Sequence, residues 1–174
     1  GQDSDFSEEL FLRRYNNELG NDLGNLLSRL LNMGGRYTDG EVPSASIDED
    51  AEKDLRALWV RSWEAARSGY EGFLFHASLE AIFEFIRGIN RYAEQRAPWK
   101  LAKSEDPKDR ALLETSLATL AEGLRLGALA LSPVMPEVSG KVLDKIGAKP
   151  LERWDERMEW GSSLSGKPLG EKTI

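Results

Sequence analysis

The chain has 174 residues and a mass of 19.5 kDa, with 40% hydrophobic and 30% charged residues, which fits one soluble domain built around a single core. It contains no cysteine and a single histidine, His76, which excludes disulfides, thiolate nucleophiles, zinc knuckles and histidine-rich metal sites and fits a reducing compartment. The net charge of −7 and pI near 4.9 argue against a generic nucleic-acid coat and confine any contact with nucleic acid to a local, specific surface.

Hydrophobic spacing predicts five main helices. The first covers about residues 5–33, with Asp3, Ser4 and Asp5 as capping groups and Phe6, Leu10, Leu19, Leu23, Leu26, Leu27, Leu30 and Leu31 forming a leucine face, and Gly34-Gly35 is expected to end it. Gly20 and Gly24 share one side of this helix, a pattern that lets a second backbone approach. A loop over about 36–47 leads to a helix at 48–68, with Leu55, Leu58, Trp59, Ser62 and Trp63 on its inner stripe and Ser68-Gly69 as its expected stop. The third helix, about 70–96, buries Phe75, Leu79, Ile82, Phe83, Ile86 and Ile89 and halts at Ala97-Pro98, because a proline disfavours helical geometry in the residue before it. A short turn at 98–103 precedes a fourth long helix at 107–131, opened by Pro107. Ser132-Pro133 reads as the start of a fifth helix, about 133–146, stopped at Gly147. From 148 to 174 the helical period disappears, and this stretch is expected to be an extended arm that folds back on the bundle or onto a missing domain, held down by Trp154 and Trp160. The fold class is therefore all-α, an up-and-down bundle over 1–147 with a C-terminal arm over 148–174.

Most catalytic chemistry is absent from the sequence. No glycine-rich phosphate loop, nucleophile elbow or Glu-x-x-His metal pair is present, and no apolar run reaches the 18 residues a membrane span requires. No secretory leader opens the chain, and both ends read as boundaries cut from a longer protein. His76, next to Phe75, is expected to be a satisfied or exposed polar residue.

Two constellations remain. Asn21, Asn25, Ser28, Arg29 and Asn32 form a polar stripe beside the leucine face, with Asn25 and Arg29 one turn apart. Such a stripe is either a solvated face or a display of amide and guanidinium groups to the base edges that single-stranded RNA exposes. The second is Asn90-Arg91-Tyr92 through Ala97-Pro98-Trp99-Lys100, where Arg87, Arg91, Arg96, Lys100 and Lys103 fall within 17 residues. Trp99 either plugs the bundle end or offers an aromatic platform, amid basic groups, for an unpaired base.

These two stretches, Tyr15-Asn16-Asn17-Glu18-Leu19-Gly20-Asn21-Asp22-Leu23-Gly24-Asn25-Leu26-Leu27-Ser28-Arg29 and Asn90-Arg91-Tyr92 to Lys103, together with Leu131-Ser132-Pro133-Val134-Met135-Pro136, resemble the anticodon-binding domain of bacterial methionyl-tRNA synthetase over essentially the whole chain. The resemblance implies a helix bundle that reads the CAU anticodon of initiator and elongator methionine tRNA. In the family the first-helix Asn and Arg and the Trp after Pro make the main anticodon contacts, which here are Asn25, Arg29 and Trp99, with Pro98 setting the Trp geometry. Asn90 and Arg91 would lie beside them, and Arg91, Arg96, Lys100 and Lys103 would touch the tRNA backbone. It also implies a parent enzyme, a methionine–tRNA ligase using ATP and magnesium in the cytoplasm, whose catalytic domain is a partner of this segment. The catalytic signatures are missing, so this segment is expected to hold no cofactor, no metal and no catalytic residue of its own. A reading from another class remains beside it: a helical protein-interaction or scaffold module without RNA specificity.

Overall fold

A computed structural model describes residues 2–151, 158–161 and 164–170. It contains helices α1 (Gln2–Tyr37), α2 (Asp50–Glu71), α3 (Phe75–Arg96), α4 (Pro98–Leu101), α5 (Pro107–Leu131) and α6 (Pro136–Lys145). Among the described residues the only β pairing is a bridge between Glu41 and Pro168. No described helix is long and apolar enough to cross a membrane.

The long helices alternate in direction. Tyr15 donates to Glu80 and Arg29 to Glu94, and both pairs are 65 residues apart in sequence. A constant offset means that α1 and α3 lie side by side, parallel and in one register. Ser78 of α3 donates to the Ala66 carbonyl of α2, whereas Tyr92 reaches Glu52, so α2 runs the other way. Gly123 and Gly127 of α5 face Ile89 and Ile86 of α3 in descending order, which makes α5 antiparallel to α3 as well. The layout is up-down-up-down, with α4 and the 97–106 connection at the same end as the C-terminus of α1, where Arg110 donates to the Tyr37 carbonyl.

Leu19, Leu23, Leu26, Leu27 and Leu30 of α1, Leu55 and Trp59 of α2, Leu79, Ile82, Phe83, Phe85, Ile86 and Ile89 of α3, and Leu113, Leu117, Leu120 and Leu124 of α5 form one buried core. Apolar burial of this kind supplies most of the driving force for a bundle. Every residue from Leu120 to Leu131 of α5 is buried, so this helix is the central post around which the others stand.

Several local expectations need correction. α3 begins at Phe75 and not near residue 70, and Phe75 is exposed instead of buried, as is Leu10 of α1. α1 passes through Gly34-Gly35 and closes at Asp39-Gly40, both with positive φ, where the Gly40 N–H reaches back to the Gly34 carbonyl at 2.9 Å. A Cβ at Gly34 would meet the end of the Leu169 side chain of the arm, which packs over this glycine. α2 passes through Ser68-Gly69, because a Cβ at Gly69 would overlap Ser78 and the glycine serves close helix approach instead of termination. It stops at Gly72, with Phe73 turned left-handed at φ 57. α6 begins at Pro136, three residues later than expected. Ser132 closes α5, its Oγ donating to the Leu129 carbonyl at 2.7 Å, and Pro136 takes the first helical position. Gly20 and Gly24, finally, have nothing within 4 Å of a built Cβ and face outward. The leucine face turns inward and leaves them on the open side of α1.

The described parts of the 148–174 stretch lie along the bundle. Lys167 accepts from the Val42 N–H at 3.0 Å, Gly166 donates to Val42 at 2.8 Å, Leu169 to Gly40 at 2.7 Å and Gly170 to Lys145 at 2.8 Å. Trp59 donates its indole N–H to the Met158 carbonyl at 2.9 Å, and Arg125 donates to the Glu159 carbonyl at 2.9 Å. Trp160 meets Phe85 edge-on at 6.5 Å. Trp154 lies outside the described residues.

Candidate nucleic-acid interface

The 65-residue register brings the two polar stretches of the sequence together. It sets Asp22 of α1 opposite Arg87 of α3, Asn25 opposite Asn90, and Arg29 opposite Glu94. An open groove of about 390 Å³ runs between the helices, lined by Asn21, Asp22, Asn25, Arg29, Arg87, Asn90 and Arg91. Three amides, three guanidinium groups and the Asp22 carboxylate from two helices thus converge on one surface strip. These planar donor and acceptor arrays suit base edges and phosphates.

Arg29 stands at the upper end of the groove. Its guanidinium lies over the Trp99 ring, 4.8 Å from the centroid, and donates to Glu94 at 2.9 Å. Trp99 is half-buried and packs against the core, so its position is held while part of the ring stays accessible. The ring owes this place to Ala97 and Pro98. Ala97 takes a left-handed conformation, φ 46 and ψ 60, that turns the chain out of α3, and Pro98 is buried as the first residue of α4.

The remaining candidates differ in availability. Asn25 and Arg91 are exposed, whereas Asn90 is half-buried and donates to the Ile86 carbonyl at 3.3 Å, leaving its amide oxygen as the group to offer. Lys100 and Lys103 are exposed beside Trp99. Arg96 is a correction: its side chain is only 14% exposed and is engaged by Glu52 at 2.5 and 2.9 Å and by Glu49 at 3.0 Å. Hydrogen bonding to Glu52 holds its charge more firmly than usual, and it fastens α3 to α2 instead of facing solvent. Burial opposes ionisation of Glu52, yet hydrogen bonds from Arg96 and Tyr92 prevail and keep its carboxyl below the usual range. Tyr92, desolvated and donating to that carboxylate, ionises only well above the ordinary phenol range.

Arg87 falls among the local charges of the sequence and Asn21 in its polar stripe, but neither stands out there as a site residue, and nor does Asp22. The available signal was the i, i+4 spacing of Arg87 to Arg91 and of Asn21 to Asn25, which puts each pair on one side of its helix. That those two sides face the same groove depends on how α1 and α3 pack. His76 is exposed near the start of α3 and lies outside the groove.

No family model matches the chain. Among the curated proteins, it is 44% identical along its whole length to the methionine–tRNA ligase of Streptomyces coelicolor, of which the match covers 34%. It is 39% identical over 88% of its length to the enzyme of Mycobacterium tuberculosis, covering 30% of that protein, and 35% identical over 95% of its length to that of Deinococcus radiodurans, covering 24%. In structure it superposes on the free form of Mycobacterium tuberculosis methionyl-tRNA synthetase with a TM-score of 0.83 at 36% identity, over 93% of this chain and 32% of that one. The complex of the same enzyme with methionyl-adenylate gives a TM-score of 0.84 at 36% identity, over 95% and 32%. The chain therefore spans about a third of the length of its first curated relative.

Proposed function

Because the chain is a segment of the methionyl-tRNA synthetase family, we propose that it is the module with which a methionine–tRNA ligase reads the CAU anticodon of initiator and elongator methionine tRNA. The observation that carries this reading is the meeting, on one face, of Trp99 with the guanidinium of Arg29 above an Asn25–Asn90 groove. An unpaired anticodon base stacks on Trp99, and Asn25 and Arg29 hydrogen-bond base edges, which carry sequence information. Asn90 supports the same strip through its free amide oxygen. Arg91, Lys100 and Lys103 contact phosphates and set register without discriminating sequence. Arg87 joins this group through its place in the groove.

The local character of this basic strip reconciles RNA binding with a net charge of −7, since only the facing surface needs to be positive. Adenylate formation, with ATP and magnesium, belongs to the part of the cytoplasmic parent enzyme outside this segment, and that part is its partner within the chain.

The test is binding of this chain to an anticodon stem-loop bearing CAU and to a second loop altered at one anticodon base, at two salt concentrations. The reading expects preference for CAU, and a loss of about 1–3 kcal/mol for Trp99→Ala. Equal affinity for both loops, unchanged by Trp99→Ala, would refute it.

A further inference from the structure

Trp99 sits in α4, a helix of a single turn, which cannot fix its own direction relative to α3. The direction is set at Ala97, a non-glycine residue with φ 46 and ψ 60. Such a conformation is disfavoured for a residue that carries a Cβ, and it persists only where the flanking structure enforces it. The residue before it, Arg96, is held by side-chain contacts with α2.

Arg96 is gripped by a carboxylate from another helix. Glu52, in the first turn of α2, is 2% exposed. Its Oε1 accepts from Arg96 Nη2 at 2.5 Å and from the Glu49 N–H at 3.0 Å, and its Oε2 accepts from Arg96 Nε at 2.9 Å and from the Tyr92 hydroxyl at 2.5 Å. One buried carboxylate thus holds two residues of the last turn of α3, Tyr92 and Arg96, in a two-pronged geometry that only a guanidinium can meet. Backbone bonds carry the constraint onward: Ala97 donates to Ala93 at 2.9 Å, and Lys100 donates to the Ala97 carbonyl at 2.8 Å. Glu52 is not among the residues that line the groove.

We infer that Glu52 is a positioning residue for anticodon binding: through Arg96 it locks the left-handed Ala97 junction and so aims the Trp99 ring. The inference rests on the proposed stacking role of Trp99 and extends the reading site to a residue of a helix that takes no part in the groove. It assigns the bundle-end ion pair a task beyond stability, since holding the helices together does not require the chain to leave α3 in this one direction.

The test separates aim from stability. The chain is labelled with 5-fluorotryptophan, the Trp99 signal is assigned by its loss in Trp99→Phe, and the spectrum is compared with that of Glu52→Gln at a temperature where the variant is folded. The expected result is a shifted or broadened Trp99 resonance with that of Trp160 unchanged; an unchanged Trp99 resonance would overturn the inference. A binding cycle with the CAU stem-loop gives the functional readout. Glu52→Gln should weaken binding about three- to tenfold, and in the Trp99→Ala background it should add less than about 1.5-fold, because residues that act as one unit are non-additive. An equal loss in both backgrounds would overturn the inference, leaving Glu52 a stability residue only. Should Glu52→Gln fail to fold, Arg96→Lys, which keeps the charge and loses the fork, is judged by the same two criteria. If Trp99→Ala itself leaves affinity unchanged, the stacking reading fails and this inference with it, an outcome distinct from loss on Trp99→Ala without loss on Glu52→Gln.

Discussion

Replacing Arg29 by lysine keeps its charge and removes its plane. In the free protein the guanidinium has two partners: Glu94 at 2.9 Å, with side chains 36% and 63% exposed, and the Trp99 ring at 4.8 Å. An ion pair this exposed contributes about 0.2–1 kcal/mol, and a cation over a partly solvated ring about 0.5–1 kcal/mol. Lysine retains part of each, so stability should fall by less than about 1 kcal/mol, which for a chain of this length is a melting-temperature change of about 2–4 °C at most. Bound to a base edge, the same guanidinium supplies paired hydrogen bonds worth about 1–3 kcal/mol, which an ammonium cannot reproduce. That corresponds to roughly 5- to 150-fold in affinity. Thermal unfolding and stem-loop titration of Arg29→Lys therefore give opposite rankings under the two roles open to this residue. A loss of more than about 2 kcal/mol in stability with unchanged affinity would refute the reasoning and make Arg29 a structural residue that holds Trp99 in place.

Two glycines should respond with opposite sign to the same change: Gly24→Ala, with open space around the new methyl, should stabilise by up to about 1 kcal/mol, whereas Gly69→Ala drives a methyl against the Leu74 carbonyl and the Ser78 backbone where α2 meets α3 and should destabilise by about 1–3 kcal/mol, both read from urea midpoints. Trp59→Phe keeps an aromatic ring in the core but leaves the Met158 carbonyl without its donor; a loss of about 1–3 kcal/mol, with faster proteolysis of the C-terminal arm than of the helices, is expected. Burial raises the Glu122 carboxyl above its ordinary value near 4.5 despite the Arg125 charge and the Gly161 N–H. The folded state then holds a proton that the unfolded chain has released, so this group's contribution to stability is greatest below that value and fades as pH rises through the raised one. Glu122→Gln should flatten that decline in unfolding curves taken from about pH 4 to pH 8, and an unchanged slope would contradict it. Glu52 has the opposite sign: its lowered carboxyl stabilises above the ordinary value near 4.5 and loses that contribution as pH falls below it, a loss that Glu52→Gln should abolish in acid unfolding.

The sequence by itself determined that the long helices exist and most of the residues on their inner faces, though not Leu10 or Phe75, which are exposed. The leucine stripe of α1 and the aromatic-aliphatic face of α3 follow from a 3.6-residue period, which is a local property of the chain. It also placed the end of α3 at Ala97-Pro98, since the restriction that proline imposes acts on its immediate neighbour. Where a residue's meaning depended on a distant partner, the sequence was silent. Gly34 and Gly69 look like helix stops, yet both lie inside helices, where Leu169 and Ser78 respectively pack into the space a Cβ would take. Arg96 looks like one more exposed cation in a basic run, and only the approach of α2 turns it into the buried partner of Glu52. Asn25 and Asn90 could be recognised one by one as polar residues on helices. That they share a groove was decided by the parallel packing of α1 against α3, because the direction in which one helix face meets another is set by the whole core and by no single stretch of sequence.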